Sequence, residues 1–202
     1  MTKRKTKVRK GVPKGDKRQR TRAKLLDAAA LVIGEKGLDR TSLEEVAARA
    51  GMTRGAIYGN FKNKEEMFLA IAETRWKPII PPEAPPGASL QERMRSLGQA
   101  VLAAAPERRA NAAGALSFYI YNLTHEEMRT RMVTINAQIY RWAEERLLQA
   151  IPPGELPMPA SQFVRVVHAM TEGVLALRFL TPELISDEVI IAAFEALAGT
   201  RS

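Results

Sequence analysis

The chain has 202 residues, 46% hydrophobic, 26% charged and 6% aromatic, with a formal charge of +9 and no cysteine. These figures fit an ordinary packed globular chain and exclude disulfides and thiolate metal sites. The longest uninterrupted apolar runs, Ala28 to Ile33 and Val189 to Phe194, fall far short of the ~18 to 20 residues that span a bilayer.

Residues 1–20 hold ten Lys or Arg against one Asp, which accounts for the whole positive excess, since the remainder is balanced. A segment this charged, with almost no apolar side chains, cannot bury enough surface to fold. It is expected to be a disordered basic arm. Such an arm is drawn to polyanions by counterion release; a solubility tail is its other reading. The first apolar stretch after it carries Asp27 and no small-residue cleavage pattern, so it does not read as a signal peptide. The expected location is cytoplasmic, with no membrane partner.

Downstream, the apolar spacing has helical period throughout, giving an all-α chain of about nine helices. Helix starts are marked by Ser, Thr or Asn followed three residues later by Glu: Ser42 with Glu45, Asn63 with Glu66, Ser89 with Glu92, and Thr124 with Glu127. The first helix is expected at about 18 to 36, ended by Gly37, and the second at about 43 to 50, ended by Gly51. A short third follows at about 54 to 60 and a fourth from Lys64 to about Trp76. Five prolines within residues 78–86 then break the chain. Later helices are expected at about 90 to 105, 107 to 122, 125 to 150, 161 to 180 and 187 to 199.

Helix, glycine turn and short helix over residues 43–60 form a helix-turn-helix pattern. Leu43, Val46, Ala47, Ala50, Met52, Ile57 and Phe61 supply a small core. Thr53, Arg54, Gly55, Ala56, Tyr58 and Asn60 are left on the outside, where a short helix can bring its first residues to base edges in a major groove. Arg54 has the donors for guanine O6 and N7, Ala56 can meet a thymine methyl, and Asn60 can reach an adenine or a phosphate. Lys64 opens the next helix, where phosphate is favoured. Gly55 and Gly59 read as interior helix glycines, each costing about 1 kcal/mol relative to Ala.

The stretch "AAALVIGEKGLDRTSLEEVAARAGMTRGAIYGNFKNKEEMFLAI" resembles the DNA-binding domain of the tetracycline-repressor (TetR) family. The likeness lies in its order: a helix ending in Gly, Thr-Ser opening the second helix, Ala-Gly before the reading helix, an aromatic pair, then Lys-Asn-Lys-Glu. It covers about a quarter of the chain and its joint spacing is highly specific. The resemblance implies a disordered basic arm at 1–20, a three-helix helix-turn-helix domain at 21–70, and a helical effector-binding and dimerisation domain at 71–202. By the same resemblance, base contacts fall to Arg54, Gly55, Ala56 and Tyr58, and phosphate contacts to Ser42, Thr53, Tyr58, Asn60 and Lys64. Gly59 and Asn60 depart from the family's usual second aromatic and following His or Tyr, which shifts expected phosphate contact toward the arm.

By the same resemblance the last two helices pair with a second copy, which fits their being apolar on more than one face; the other reading is an ordinary monomer core. Phe163, Val167, Met170, Val174, Ile190, Phe194 and Leu197 are the candidate interface residues. The middle helices interleave aromatics, Met and polar groups in a way that suits either a pocket or plain core. Phe118, Tyr121, Met132, Asn136, Tyr140, His168 and Glu172 are the pocket candidates. His168, Glu172 and Arg178 are polar groups an apolar surround must satisfy.

Catalytic chemistry finds little support. The two histidines, His125 and His168, form no short metal motif, and no phosphate loop, dinucleotide fingerprint or nucleophile elbow occurs. No cofactor or metal is expected. The reading is a homodimeric repressor that binds a palindrome in double-stranded DNA and is released by a small-molecule effector. The alternative is an architectural DNA-coating protein without an effector.

Overall fold

A computed structural model describes residues 14–75 and 78–199. Among these residues the chain is all-helical, with nine α-helices: α1 (Lys14–Lys36), α2 (Leu43–Arg49), α3 (Arg54–Tyr58), α4 (Lys64–Arg75), α5 (Leu90–Ala110), α6 (Ala112–Thr124), α7 (Glu126–Ala150), α8 (Ala160–Leu180) and α9 (Asp187–Ala196). The contacts divide it into two compact units, residues 1–71 and 72–202. No helix of the described residues is long and apolar enough to cross a membrane.

The first helix begins earlier than expected, so the last seven residues of the basic segment are helical; residues 1–13 lie outside the described residues. Lys, Arg and Gln are good helix formers and need no burial to extend an existing helix. From Leu25 onward α1 carries a buried stripe of Leu25, Leu26, Ala29, Val32 and Ile33. It closes at Gly37, whose φ of 84° is a left-handed conformation that Gly adopts without strain.

The first unit closes its core over a small volume. Leu43, Val46 and Ala47 of α2 are buried, as are Ile57, Phe61, Met67 and Phe68, whereas Ala50 and Met52 are only half-buried. Salt bridges on the outside hold α2 against α1: Arg49 forks onto Glu35 at 2.8 and 2.7 Å, and Lys36 pairs with Glu45. The forked bond keeps the Glu35 carboxyl below the usual carboxylate range and the Arg49 guanidinium above its own.

In the second unit the core joins Leu90, Met94, Leu97 and Val101 of α5 to Phe163 and Leu175 of α8 and Ile190 and Phe194 of α9. Gly98 makes the α5–α9 crossing close: a Cβ there would lie 3.2 Å from Ile191 Cδ1 and 3.3 Å from the Phe194 ring. Candidate residues of the dimer seam take part in this packing. Phe163, Ile190 and Phe194 are buried within their own unit, and Val167, Met170, Val174 and Leu197 pack on the same core. Their helices are apolar on two faces, and periodicity alone does not distinguish the inward from the outward one.

Two boundaries also move. The α5 helix runs through Pro106 to Ala110. Proline removes one backbone bond there, but Leu102 and Ala105 still pack on the core, and the break falls at Asn111. Thr124 does not cap α7. It ends α6 and donates its hydroxyl back to the carbonyls of Ile120 and Tyr121, leaving as N-cap His125, whose ring makes no capping hydrogen bond to α7. Ser89 and Glu92 do form the complete reciprocal box.

Candidate nucleic-acid interface

The turn between α2 and α3 is a Schellman motif. Met52 N–H donates to the Ala47 carbonyl at 2.8 Å and Gly51 N–H to that of Ala48 at 3.0 Å, with Gly51 at φ 65°. Thr53 then caps α3, its hydroxyl accepting from Ala56 N–H at 3.2 Å. Ser42 does the same for α2, accepting from Glu45 N–H at 3.2 Å. The two caps fix the start of both helices and leave Ser42 and Thr53 exposed.

On the short α3 only Ile57 is buried. Arg54 and Gly55 are exposed, Tyr58 remains 45% exposed, and Ala56 is half-buried. A Cβ on Gly55 would meet only Thr53 Oγ1, at 3.9 Å, so nothing inside the unit demands glycine there. Gly59 is different: it is the C-cap of α3 rather than an interior residue.

The geometry separates the eight sequence candidates. Thr53, Arg54, Gly55, Ala56 and Tyr58 lie on or at the start of α3, and Ser42 is exposed at the start of α2. Asn60 turns inward, its amide donating to the Ala56 carbonyl at 2.8 Å while Oδ1 is buried without a hydrogen-bond partner. Its own carbonyl accepts from Arg22 at 3.0 Å, and the Arg22 guanidinium lies 4.4 Å from the centroid of the Phe61 ring. Asn60 therefore closes the end of α3 instead of presenting its amide to a ligand. Lys64, only 25% exposed at its side chain, donates to the Asp39 carbonyl at 2.9 Å.

Sequence reasoning missed Glu44. Its Oε1 accepts a 2.7 Å hydrogen bond from the Tyr58 hydroxyl and lies 3.4 Å from Arg54 Nη2. The Tyr58 bond, then its own backbone N–H and the Arg54 charge, lower the Glu44 carboxyl; the same bond raises the Tyr58 hydroxyl. No spacing rule links positions 44 and 58, because the crossing of α2 over α3 creates the contact. An acid exposed on the second helix, between buried Leu43 and Val46, was the only available hint.

The second unit brings some of the pocket candidates together. Tyr140 and His168 meet with hydroxyl and Nδ1 2.8 Å apart, and Glu172 lies 3.9 Å from His168 Nε2. Tyr119, outside the candidate set, donates to Glu172 at 3.3 Å. Phe118 and Tyr121 are buried, with Tyr121 stacked on His125 at 3.6 Å between centroids, and Met132 and Asn136 are half-buried. Arg178 ties the α8–α9 turn, donating to the Ile185 carbonyl and, at 2.7 Å, to Asp187. An open cleft of about 640 Å³ lies elsewhere, between the Pro78–Pro82 stretch and the face of α5 bearing Ala100, Ala103, Ala104 and Arg108. None of the seven pocket candidates lines it.

A capped turn presenting a short, exposed helix with Arg and Gly at its start defines a helix-turn-helix DNA-binding domain. Residues 25–71 match the model of the bacterial regulatory proteins of the tetR family. Its helix-turn-helix domain is thus that of a TetR-family transcriptional regulator. It is 26% identical over 140 residues to the transcriptional regulator SrpR of Pseudomonas putida, covering 69% of this chain. That match spans 65% of SrpR's length, and matches to other curated regulators span 26% or 27% of theirs. Among solved structures, the SmeT–triclosan complex is 27% identical, with a TM-score of 0.60 over 89% of this chain and 91% of that one. MexZ, a repressor responsible for antibiotic resistance in Pseudomonas aeruginosa, is 26% identical, with a TM-score of 0.60 over 89% of this chain and 95% of that one.

Proposed function

We propose that this protein is a homodimeric, cytoplasmic repressor that reads a palindromic operator with α3 and is released by a small apolar effector. The observation that carries this reading is the start of α3. Arg54 is 75% exposed at its side chain, Gly55 has open space above its Cα, and both sit on a turn held by paired backbone bonds. Arg54 can supply the bidentate contact to guanine, and Gly55 permits backbone to approach the duplex closely.

Dimerisation is assigned to the outward face of the last two helices. Ala169, Gly173, Leu177 and Leu180 on α8 and Val189, Ala192 and Ala196 on α9 are exposed. Small residues at that spacing let helices of two copies cross closely, and the flanking leucines supply apolar area. A two-fold pair would set the reading helices about 34 Å apart, one turn of DNA. For the effector, the cleft beside α5 offers an apolar floor of alanines with Ser96, Gln99 and Arg108 at its polar edge, a composition suited to a small, mostly apolar molecule. The triclosan complex of SmeT supports the same class.

Selection of bound sequences from random DNA tests the reading. A palindrome with half-sites one turn apart is the expected result, followed by its release by apolar small molecules. Enrichment of no motif would overturn operator reading in favour of DNA coating.

A further inference from the structure

A single carboxylate holds two residues of the reading helix. Glu44 accepts the Tyr58 hydroxyl at 2.7 Å and lies 3.4 Å from Arg54; the Arg54 guanidinium also sits 5.4 Å from the centroid of the Tyr58 ring. Glu44 is exposed and buries nothing in the core, and an exposed ion pair contributes little to folding. An acid on a surface that approaches a polyanion also weakens attraction to every duplex. Its place in the first turn of α2, where the helix dipole favours an acid, explains a carboxylate there but not its contacts with Tyr58 and Arg54.

We propose that Glu44 is a specificity-determining positioning residue, which tethers Arg54 and Tyr58 in one arrangement and withholds the Arg54 charge from phosphates unless a guanine edge displaces the carboxylate. An untethered arginine swings on its flexible stem to the nearest phosphate of any sequence, adding affinity without information. A tethered one must exchange Glu44 for a better partner. Guanine O6 and N7 form such a partner, since a good bidentate contact discriminates roughly 5- to 150-fold. Glu44 is therefore a filter on the same residue that reads. The inference rests on the DNA-reading role proposed for α3.

The test compares the full-length parent, Glu44→Gln and the double variant Glu44→Gln/Arg54→Ala on the selected operator and on a scrambled duplex, across a salt series. Glu44→Gln should steepen the slope of log K against log salt on scrambled DNA by about 0.9, one phosphate contact. It should raise affinity for scrambled DNA about tenfold at low salt while the operator gains less than threefold, so that discrimination falls. In the double variant the gain on scrambled DNA should vanish, because no guanidinium remains to be released. Thermal midpoints check that all three proteins fold alike. An unchanged slope in Glu44→Gln would overturn the tether. An equal gain in the double variant would also overturn it, reducing Glu44 to simple charge repulsion. A parent that does not prefer its operator would instead overturn base reading, while the slope on scrambled DNA still decides whether Glu44 restrains Arg54.

Discussion

The two units of this protein bury the same kinds of side chain but depend on them differently. In the second unit the determining residues are interchangeable in kind: Leu97, Val101, Phe163, Ile190 and Phe194 must be apolar and of the right volume. In the first, single positions carry requirements that no volume rule captures. Gly51 must be left-handed, Thr53 must accept from Ala56, and Gly55 is small without any internal reason. The difference teaches where function is written. Packing tolerates substitution by similar residues, whereas a surface shaped for a partner displays residues that the fold itself does not explain.

The largest effect should come from the packing side of the comparison. Phe194 is fully buried against Gly98, and Phe194→Ala should destabilise the second unit by about 3 to 5 kcal/mol through lost burial and the cavity left behind. Chemical denaturation measures it. Phe194→Leu should cost markedly less, as befits a site that asks for volume. Equal losses for both substitutions would mean that the α5–α9 crossing demands an aromatic ring specifically, and the contrast between the units would weaken.

Gly51→Ala is the matching experiment in the first unit. A Cβ there meets nothing within 4 Å, yet φ is 65°, so the whole cost is backbone strain of about 1 to 2 kcal/mol. The thermal midpoint should fall accordingly, and Gly51→Asn should recover part of the loss because Asn tolerates the left-handed region. Failure of Asn to rescue would show that the turn is held by something other than its dihedral.

These contrasts also explain what could be read from sequence. The helix-turn-helix was legible because its constraints are local: Gly37 and Gly51 end helices by conformation, Ser42 and Thr53 begin them by capping, and each signal lies within a few residues of its effect. The outward face of the last two helices was not. In α8 and α9 the stripe through Phe163, Ile190 and Phe194 and the stripe through Ala169, Gly173 and Leu177 both satisfy helical period, and only the packing of α5 decides which is inside. The same reason hid Glu44 and the inward turn of Asn60. Their partners are set by the crossing of helices and by an inward rotamer, neither of which is encoded in spacing. Arg54 and Gly55 could be found because exposure at the start of a short helix follows from Ile57 alone being needed inside.

Gly55→Ala separates stability from binding within one residue. The position is helical with room for a methyl group, so stability should be unchanged or rise by up to about 1 kcal/mol. Operator affinity should nevertheless drop, since the added methyl stands between helix and duplex. Fluorescence anisotropy with the selected operator, set beside the melting curve, checks both halves. Operator affinity equal to that of the parent would place the DNA away from the start of α3 and remove the reason for a glycine there.

The smallest effect belongs to the one part of the second unit that does not follow its packing logic. Tyr119 donates to Glu172, which in turn neighbours His168 and Tyr140. Partial burial of a residue still 51% exposed, then the Glu172 charge, pushes the Tyr119 hydroxyl up from its ordinary 10.0 to about 12. The folded chain thus holds the phenol neutral over a range in which the unfolded chain ionises. Below about pH 10 the two states carry the same proton and Tyr119 adds no pH dependence; between about 10 and 12 the unfolded state loses its proton first, so stability declines as pH rises. Ultraviolet absorbance should assign the latest-ionising tyrosine to position 119 by its absence in Tyr119→Phe, and Glu172→Gln should bring that step to lower pH. If the step stays put in Glu172→Gln, burial alone holds the proton, and this cluster joins the rest of its unit as a matter of packing.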